Sequence, residues 1–195
     1  MGALFDLTSL VRRKCPGIMD IMMLDALASS YREFCNKSEF LTSSLTVASA
    51  DESTPVVISP KADHTVLKVE SVIETQTSGK LVELYLNEDY TRPKSNGLQF
   101  NKPRQALKIT YVEVPTAIAD PMTMTIDDDI INRYGDVIAI GAAMELRLMP
   151  AQPWTEAGLA EVYSREFIEG CRNAYRDKCE EFTEFRNQPR KHQFF

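Results

Sequence analysis

The sequence predicts an α+β fold: a three-helix bundle formed by the N- and C-terminal segments, with an antiparallel β-sandwich or small barrel inserted between them and an extended C-terminal tail. Three observations predict it. Apolar residues recur in steps of three and four near both ends of the 195-residue chain. Between Glu39 and Ile126 the texture changes to short runs rich in Thr, Val, Ile and Tyr, separated by turn residues. A last periodic stretch, Thr155 to Arg186, carries no proline and leads into a basic, aromatic tail. The bundle is expected over residues 1–38 and 127–186, the β insert over 39–126 and the tail over 187–195.

Residues 1–14 are expected to be an exposed terminal arm. Leu4, Phe5, Leu7, Leu10 and Val11 are apolar, and Arg12, Arg13 and Lys14 are basic. Part of the arm forms a short helix if Thr8 or Ser9 caps it. It either packs on its own domain or touches a neighbouring subunit. The first long helix is expected to open at Cys15, Pro16 and Gly17, since proline suits the first helical position. Leu24, Leu27, Ala28, Tyr31, Phe34 and Cys35 then mark one face, up to about Asn36 to Ser38. Burying such a stripe contributes roughly 1.5–3 kcal/mol per large side chain, so its partner should be another apolar helix face.

Strand-like runs follow at 41–49, 55–58, 66–74, 81–86, 98–100 and 106–114. Ser78 and Gly79 between two of them read as a hairpin. The stretch from Thr91 to Gly97, with Pro93, Asn96 and Gly97, reads as a turn. In the last run Leu107, Ile109 and Tyr111 share one face, and Lys108 and Thr110 the other. Residues 115–126 are expected to be an extended connection.

Asp127, Asp128 and Asp129 open the second helix, where acidic residues satisfy free N–H groups and match the helix dipole. Gly141, Ala142 and Ala143 give it a smooth patch for close approach of another helix. After Pro150 to Trp154 the third helix begins, with Thr155 able to cap it. Tyr163, Phe167, Cys171, Ala174, Tyr175, Cys179, Phe182 and Phe185 form its stripe. Over Thr155–Arg186 it would be roughly 48 Å long, more than a bundle of this size needs, and a helix that outgrows its core points to assembly with neighbours.

The formal net charge is -6, which argues against tight nucleic-acid binding and is compatible with a channel wall along which DNA slides. The four cysteines include no CxxC pair and no zinc spacing. Cys35, Cys171 and Cys179 lie on helix faces and are expected to be core residues. Reduced thiols fit assembly in a cytoplasm. No run is long and apolar enough to span a membrane. His64, in a predicted loop beside Asp63, has no nucleophile motif near it in sequence. The aspartate triplet lacks the spaced ligands and glycine of a calcium loop. With eight glycines and no phosphate-binding loop, no cofactor, catalytic or metal site is expected. The chemistry left is adhesive: Arg186, Pro189, Arg190, Lys191, Phe194 and Phe195 combine cations and exposed aromatics in a segment that Pro189 keeps out of the helix.

The stretches Asp25–Cys35 and Tyr134–Leu146, and Pro153 and Trp154 followed by Ala160, Tyr163, Phe167 and Gly170, resemble the head-to-tail adaptor (connector) family of tailed bacteriophages, most closely the tail tubular protein A-like adaptors of short-tailed phages. The strand-rich insert departs from smaller adaptors of this kind, which are more helical. The resemblance implies a non-enzymatic structural virion protein in the phage neck, assembled in the host cytoplasm. It would form a homo-oligomeric ring of twelve subunits that joins the portal to the tail tube or nozzle. DNA would pass through the lumen at ejection without specific binding. Arg186, Pro189, Arg190, Lys191, Phe194 and Phe195 would bind the portal. Arg165, Glu166, Glu169, Arg172 and Arg176 are candidates for contacts between subunits. Another virion joining protein, a stopper or tail-completion factor, is the alternative. A hydrolase using His64 or the aspartate run is the remaining one.

Overall fold

The computed structural model describes residues 2–181 and mixes helices with antiparallel sheets. The chain enters as a short strand β1 (Gly2–Ala3), a single 3₁₀ turn over Leu4–Leu7, and helix α1 (Thr8–Lys14). Helix α2 (Asp20–Ser38) follows, then strands β2 (Thr42–Ala50), β3 (Val56–Val57), β4 (His64–Thr75), β5 (Leu81–Leu84), β6 (Tyr90–Lys94), β7 (Gly97–Phe100), β8 (Arg104–Pro115) and β9 (Thr125–Ile126). Helices α3 (Asp128–Arg147) and α4 (Ala157–Glu181) close the described chain.

The terminal arm is not a free one. Leu4, Leu7 and Val11 are buried, and Gly2 and Ala3 pair with Ile126 and Thr125 at the end of the expected extended connection. The first long helix starts at Asp20 rather than at Cys15. Cys15, Pro16 and Gly17 instead separate two helices, because Gly17 takes φ 86°, outside helical geometry. Met19, with an extended backbone, precedes the first turn of α2.

Helix α2 packs on α3, α3 on α4, and α2 on α4. The stripe from Leu24 to Cys35 meets Ile138, Ala142 and Ala143 of α3 and Phe167, Cys171 and Ala174 of α4 in one buried cluster. At Gly141 helix α3 lies close against both α2 and α4: a Cβ there would stand 2.3 Å from Ser30 Oγ and 2.7 Å from the Phe167 ring. The Ser30 hydroxyl donates to the Ile138 carbonyl at 2.7 Å, so this polar group is satisfied inside the core.

Two sheets carry the middle of the chain, one ordered β2-β8-β4-β5 and one ordered β3-β7-β6. Their inner faces share a second buried cluster, with Leu107, Ile109 and Tyr111 from β8 and Ile58, Leu98 and Phe100 from the region of the smaller sheet. Arg104 adds a polar tie, reaching Glu74 at 3.0 Å and Asp89 at 2.6 Å. The stretch from Thr91 to Gly97 is not all turn. It supplies β6, which turns at Ser95 and Asn96 into β7. Pro93 is accommodated because β6 lies at a sheet edge, where a missing N–H breaks no ladder. The hairpin at Ser78 and Gly79 forms as expected, with Gly79 at φ 79°.

Strand β8 joins the two clusters. From Leu107 to Tyr111 buried residues alternate with outward ones, and every residue from Tyr111 to Pro115 is buried. The alternation ends where helices cover the second face of the strand: Val114 belongs to the helical cluster, together with Leu41.

Candidate functional site

The sequence-derived candidates fall in two places. Arg186, Pro189, Arg190, Lys191, Phe194 and Phe195 lie outside the described residues, as do Phe182 and Phe185. Arg165, Glu166, Glu169, Arg172 and Arg176 all lie on α4, and all are exposed. The helix period sets this face. Phe167, Cys171 and Ala174 turn inward, so positions one or two residues away turn out. Along the helix Arg165 pairs with Glu161, and Arg172 with Glu169 at 3.8 Å. Such exposed pairs add little stability. They leave a mixed-charge surface along the whole outer side of the helix.

The inner side of α4 changes character towards its end. The expected stripe ran through Tyr175 and Cys179, but both are exposed. Lys178, four residues beyond Ala174, takes the inward position, with its side chain 11% exposed. It crosses to the sheet, pairs with Glu70 of β4, and lies 4.0 Å from Glu39. Lys68 of β4 also pairs with Glu39, at the end of α2. Towards the N-terminal end of α3, Tyr134 donates to Asp177 of α4 at 2.7 Å, and Arg133 approaches the same carboxylate at 3.5 Å. The rings of Phe34 and Phe40 pack on Tyr134 at centroid distances of 5.4 and 5.2 Å.

Between α4, the N-terminus of α3 and the four-stranded sheet lies a cleft of about 530 Å³. Glu39, Glu70 and Glu113 line it together with Lys61, Lys68 and Lys178. Glu113 is its most buried charge, at 0% exposure. Its carboxylate accepts from Ser43 Oγ at 3.0 Å and from the Lys61 backbone N–H at 3.2 Å, and the Lys61 ammonium lies 3.4 Å away. Glu113 carried a readable signal. It continues the inward row Leu107, Ile109, Tyr111 by strand parity, so a carboxylate was due on a buried face.

Asp127 caps α3, accepting from the Asp129 N–H at 3.1 Å. Thr155 does not take the equivalent role on α4. Its hydroxyl binds the linker, accepting from the Gln152 N–H at 3.1 Å and donating to the Met149 carbonyl. Glu156 instead provides the first carbonyl, accepting from Ala160 N–H at 3.0 Å. His64 is the first residue of β4 rather than part of a loop, paired with Pro115, and its Nδ1 lies 2.8 Å from the Ala62 carbonyl. Among the described residues no group of three or more His, Cys, Asp or Glu side chains is placed to hold a metal ion. No helix among them is long and apolar enough to cross a membrane.

Three cysteines, Cys15, Cys35 and Cys171, are buried. Burial pushes the Cys171 thiol up to about 12 and the Cys35 thiol higher still, which marks both as packing groups.

No protein-family model matches the chain, and no curated protein sequence matches it significantly.

Proposed function

We propose that the protein is a head-to-tail adaptor of a tailed bacteriophage, one subunit of a ring that joins the portal to the tail tube or nozzle. The outward face of α4 carries this reading. Arg165, Glu166, Glu169, Arg172 and Arg176 stand exposed on a helix of 25 residues whose other side is taken up by α2, α3 and the sheet. A surface of mixed charge gives register and partner choice more than raw affinity. That suits a head-to-tail contact, in which one flank of a copy meets a different flank of the next.

In this reading residues 1–38 and 127–186 form a three-helix bundle that carries the ring, and residues 39–126 form a β-sandwich on its outer or tail-facing side. Residues 187–195 reach the portal, with Arg186, Pro189, Arg190, Lys191, Phe194 and Phe195 as the adhesive groups. Copies close into a ring whose lumen forms part of the DNA channel in the virion neck. A net charge of -6 suits a wall that must not retain DNA.

The test is removal of Pro189–Phe195, followed by co-sedimentation with portal rings. The expected result is lost attachment with an unchanged circular dichroism spectrum and melting temperature. Attachment at the wild-type level by the shortened chain would sink the portal-binding role. Charge reversal at Arg165 and Arg172 together should prevent rings, seen by negative-stain microscopy, without unfolding the subunit.

A further inference from the structure

We infer that copies of this chain join through their sheets: the open edge of β2 in one copy pairs with the β5 edge of the next, so that the four-stranded sheet continues from subunit to subunit. The inference rests on the ring reading above and adds to it a specific surface.

Strand β2 is nine residues long and is hydrogen-bonded to β8 alone. Among the described residues no backbone hydrogen bond outside that ladder reaches Thr42–Ala50. About half of its N–H and C=O groups therefore face away from β8 with no protein partner. Edges of this length are normally blunted by lysine, proline, a bulge or a covering element. Strand β2 contains no charged residue and no proline, and Thr42, Ser44, Thr46 and Ala48 are exposed along it. The strand therefore lies at an edge without charge, proline or a bulge to blunt it.

The opposite edge of the same sheet is complementary. Strand β5 bonds only to β4. Leu81 and, just beyond the strand, Tyr85 and Leu86 are 65%, 57% and 48% exposed. Bulky apolar side chains on one edge thus answer small ones on the other. On the inner face Leu45 and Val47 of β2 and Val82 of β5 are each only partly buried against the same cluster. Joining the edges would bring these three together and extend the core across the contact.

Strand direction favours the same pairing. Each neighbouring pair in the order β2-β8-β4-β5 is antiparallel, so β2 and β5 run in opposite directions. Copies related by rotation about an axis near the strand direction bring β2 against β5 antiparallel, the more stable ladder. A twofold contact of β2 with β2 would use one edge only and leave Leu81 and Tyr85 bare. The head-to-tail contact uses both and closes into a ring.

The test uses the full chain carrying Cys179→Ser, which removes the exposed thiol. One set of variants carries Ser44→Cys, Thr46→Cys or Ala48→Cys, covering alternative registers, and the other carries Glu83→Cys. The two are mixed, assembled with portal rings and oxidised. The expected product is a disulfide between unlike variants. The double variant S44K/T46K should keep the wild-type melting temperature and lose rings. Rings that form with no mixed disulfide at any position overturn the edge pairing and leave the ring reading standing. Disulfides between two copies of a β2 variant overturn it in favour of a twofold contact. Mixed disulfides in open chains that never close support the edge pairing and overturn the ring. Absence of both rings and disulfides overturns both.

Discussion

The ring of Phe167 on α4 lies against the backbone of Gly141 on α3, so close that a Cβ on the glycine would stand 2.7 Å from two ring carbons. On propensity alone, Gly→Ala in a helix interior gains about 1 kcal/mol. Here the overlap with Phe167, and with Ser30 Oγ at 2.3 Å, outweighs it, because overpacking a dense core costs about 1–3 kcal/mol. Gly141→Ala should therefore lower the urea midpoint. Gly170→Ala should do the same, since its Cβ would stand 2.5 Å from a Val137 methyl. Gly158→Ala, in the first turn of α4 with nothing within 4 Å, should be neutral or slightly stabilising. Equal effects at all three positions would contradict the packing.

Glu113 is a buried anion with two donors fixed on it, the Ser43 hydroxyl and the Lys61 N–H. Glu113→Gln keeps one acceptor oxygen and brings in an amide NH₂ facing groups that themselves donate. The expected loss is about 1–3 kcal/mol, the usual cost of an unsatisfied buried group. Denaturant unfolding of the variant measures it. The part of the loss due to the unmatched hydrogen bonds should persist in high salt, whereas any part due to the exposed Lys61 ammonium should be screened.

The helices were legible because their pattern is local. The stripe from Leu24 to Cys35 and the acidic cap at Asp127 need no knowledge of distant partners. Pro16 was ambiguous, since a proline can open one helix or end another, and the φ of Gly17 decided between them. Strand β6 was hidden because Pro93 reads as a breaker unless the strand is known to lie at an edge. Lys178 was hidden because the polarity of its position depends on Glu70 and Glu39, more than a hundred residues upstream in sequence. The exposure of Arg165, Glu166, Glu169, Arg172 and Arg176 was readable from the helix period alone. The β2 edge was not, because being at an edge is a property of sheet order.

The four cysteines should separate cleanly by reactivity. Burial raises the Cys171 thiol to about 12, so at pH 8 only about 10⁻⁴ of it is thiolate, and Cys15 and Cys35 are also buried and raised. A thiol reagent at pH 8 should label Cys179 rapidly in the native protein and the other three only on unfolding. Raising the pH increases the Cys171 thiolate tenfold per unit, but access still requires opening of the helical cluster. Rapid labelling of any of Cys15, Cys35 or Cys171 at pH 8 would contradict the burial of that thiol.

Lys178 ties the end of α4 to the sheet, and its replacement tests how the helical and strand layers are held together. Its partners Glu70 and Glu39 are 26% and 21% exposed at the side chain, between the surface case, where a pair is worth under about 1 kcal/mol, and the buried case, where a lone charge costs about 3–5 kcal/mol. Lys178→Met keeps the buried stem and removes the ammonium. A loss of about 1–2 kcal/mol is expected from those bounds. Because Lys68 still faces Glu39, most of that loss should trace to Glu70. A cycle with Glu70→Gln should then recover much of it, since the neutral amide needs no counter-ion. If the double variant is as unstable as the sum of the two singles, the Lys178 to Glu70 pair is not what joins α4 to β4, and the apolar contacts beside it carry the join.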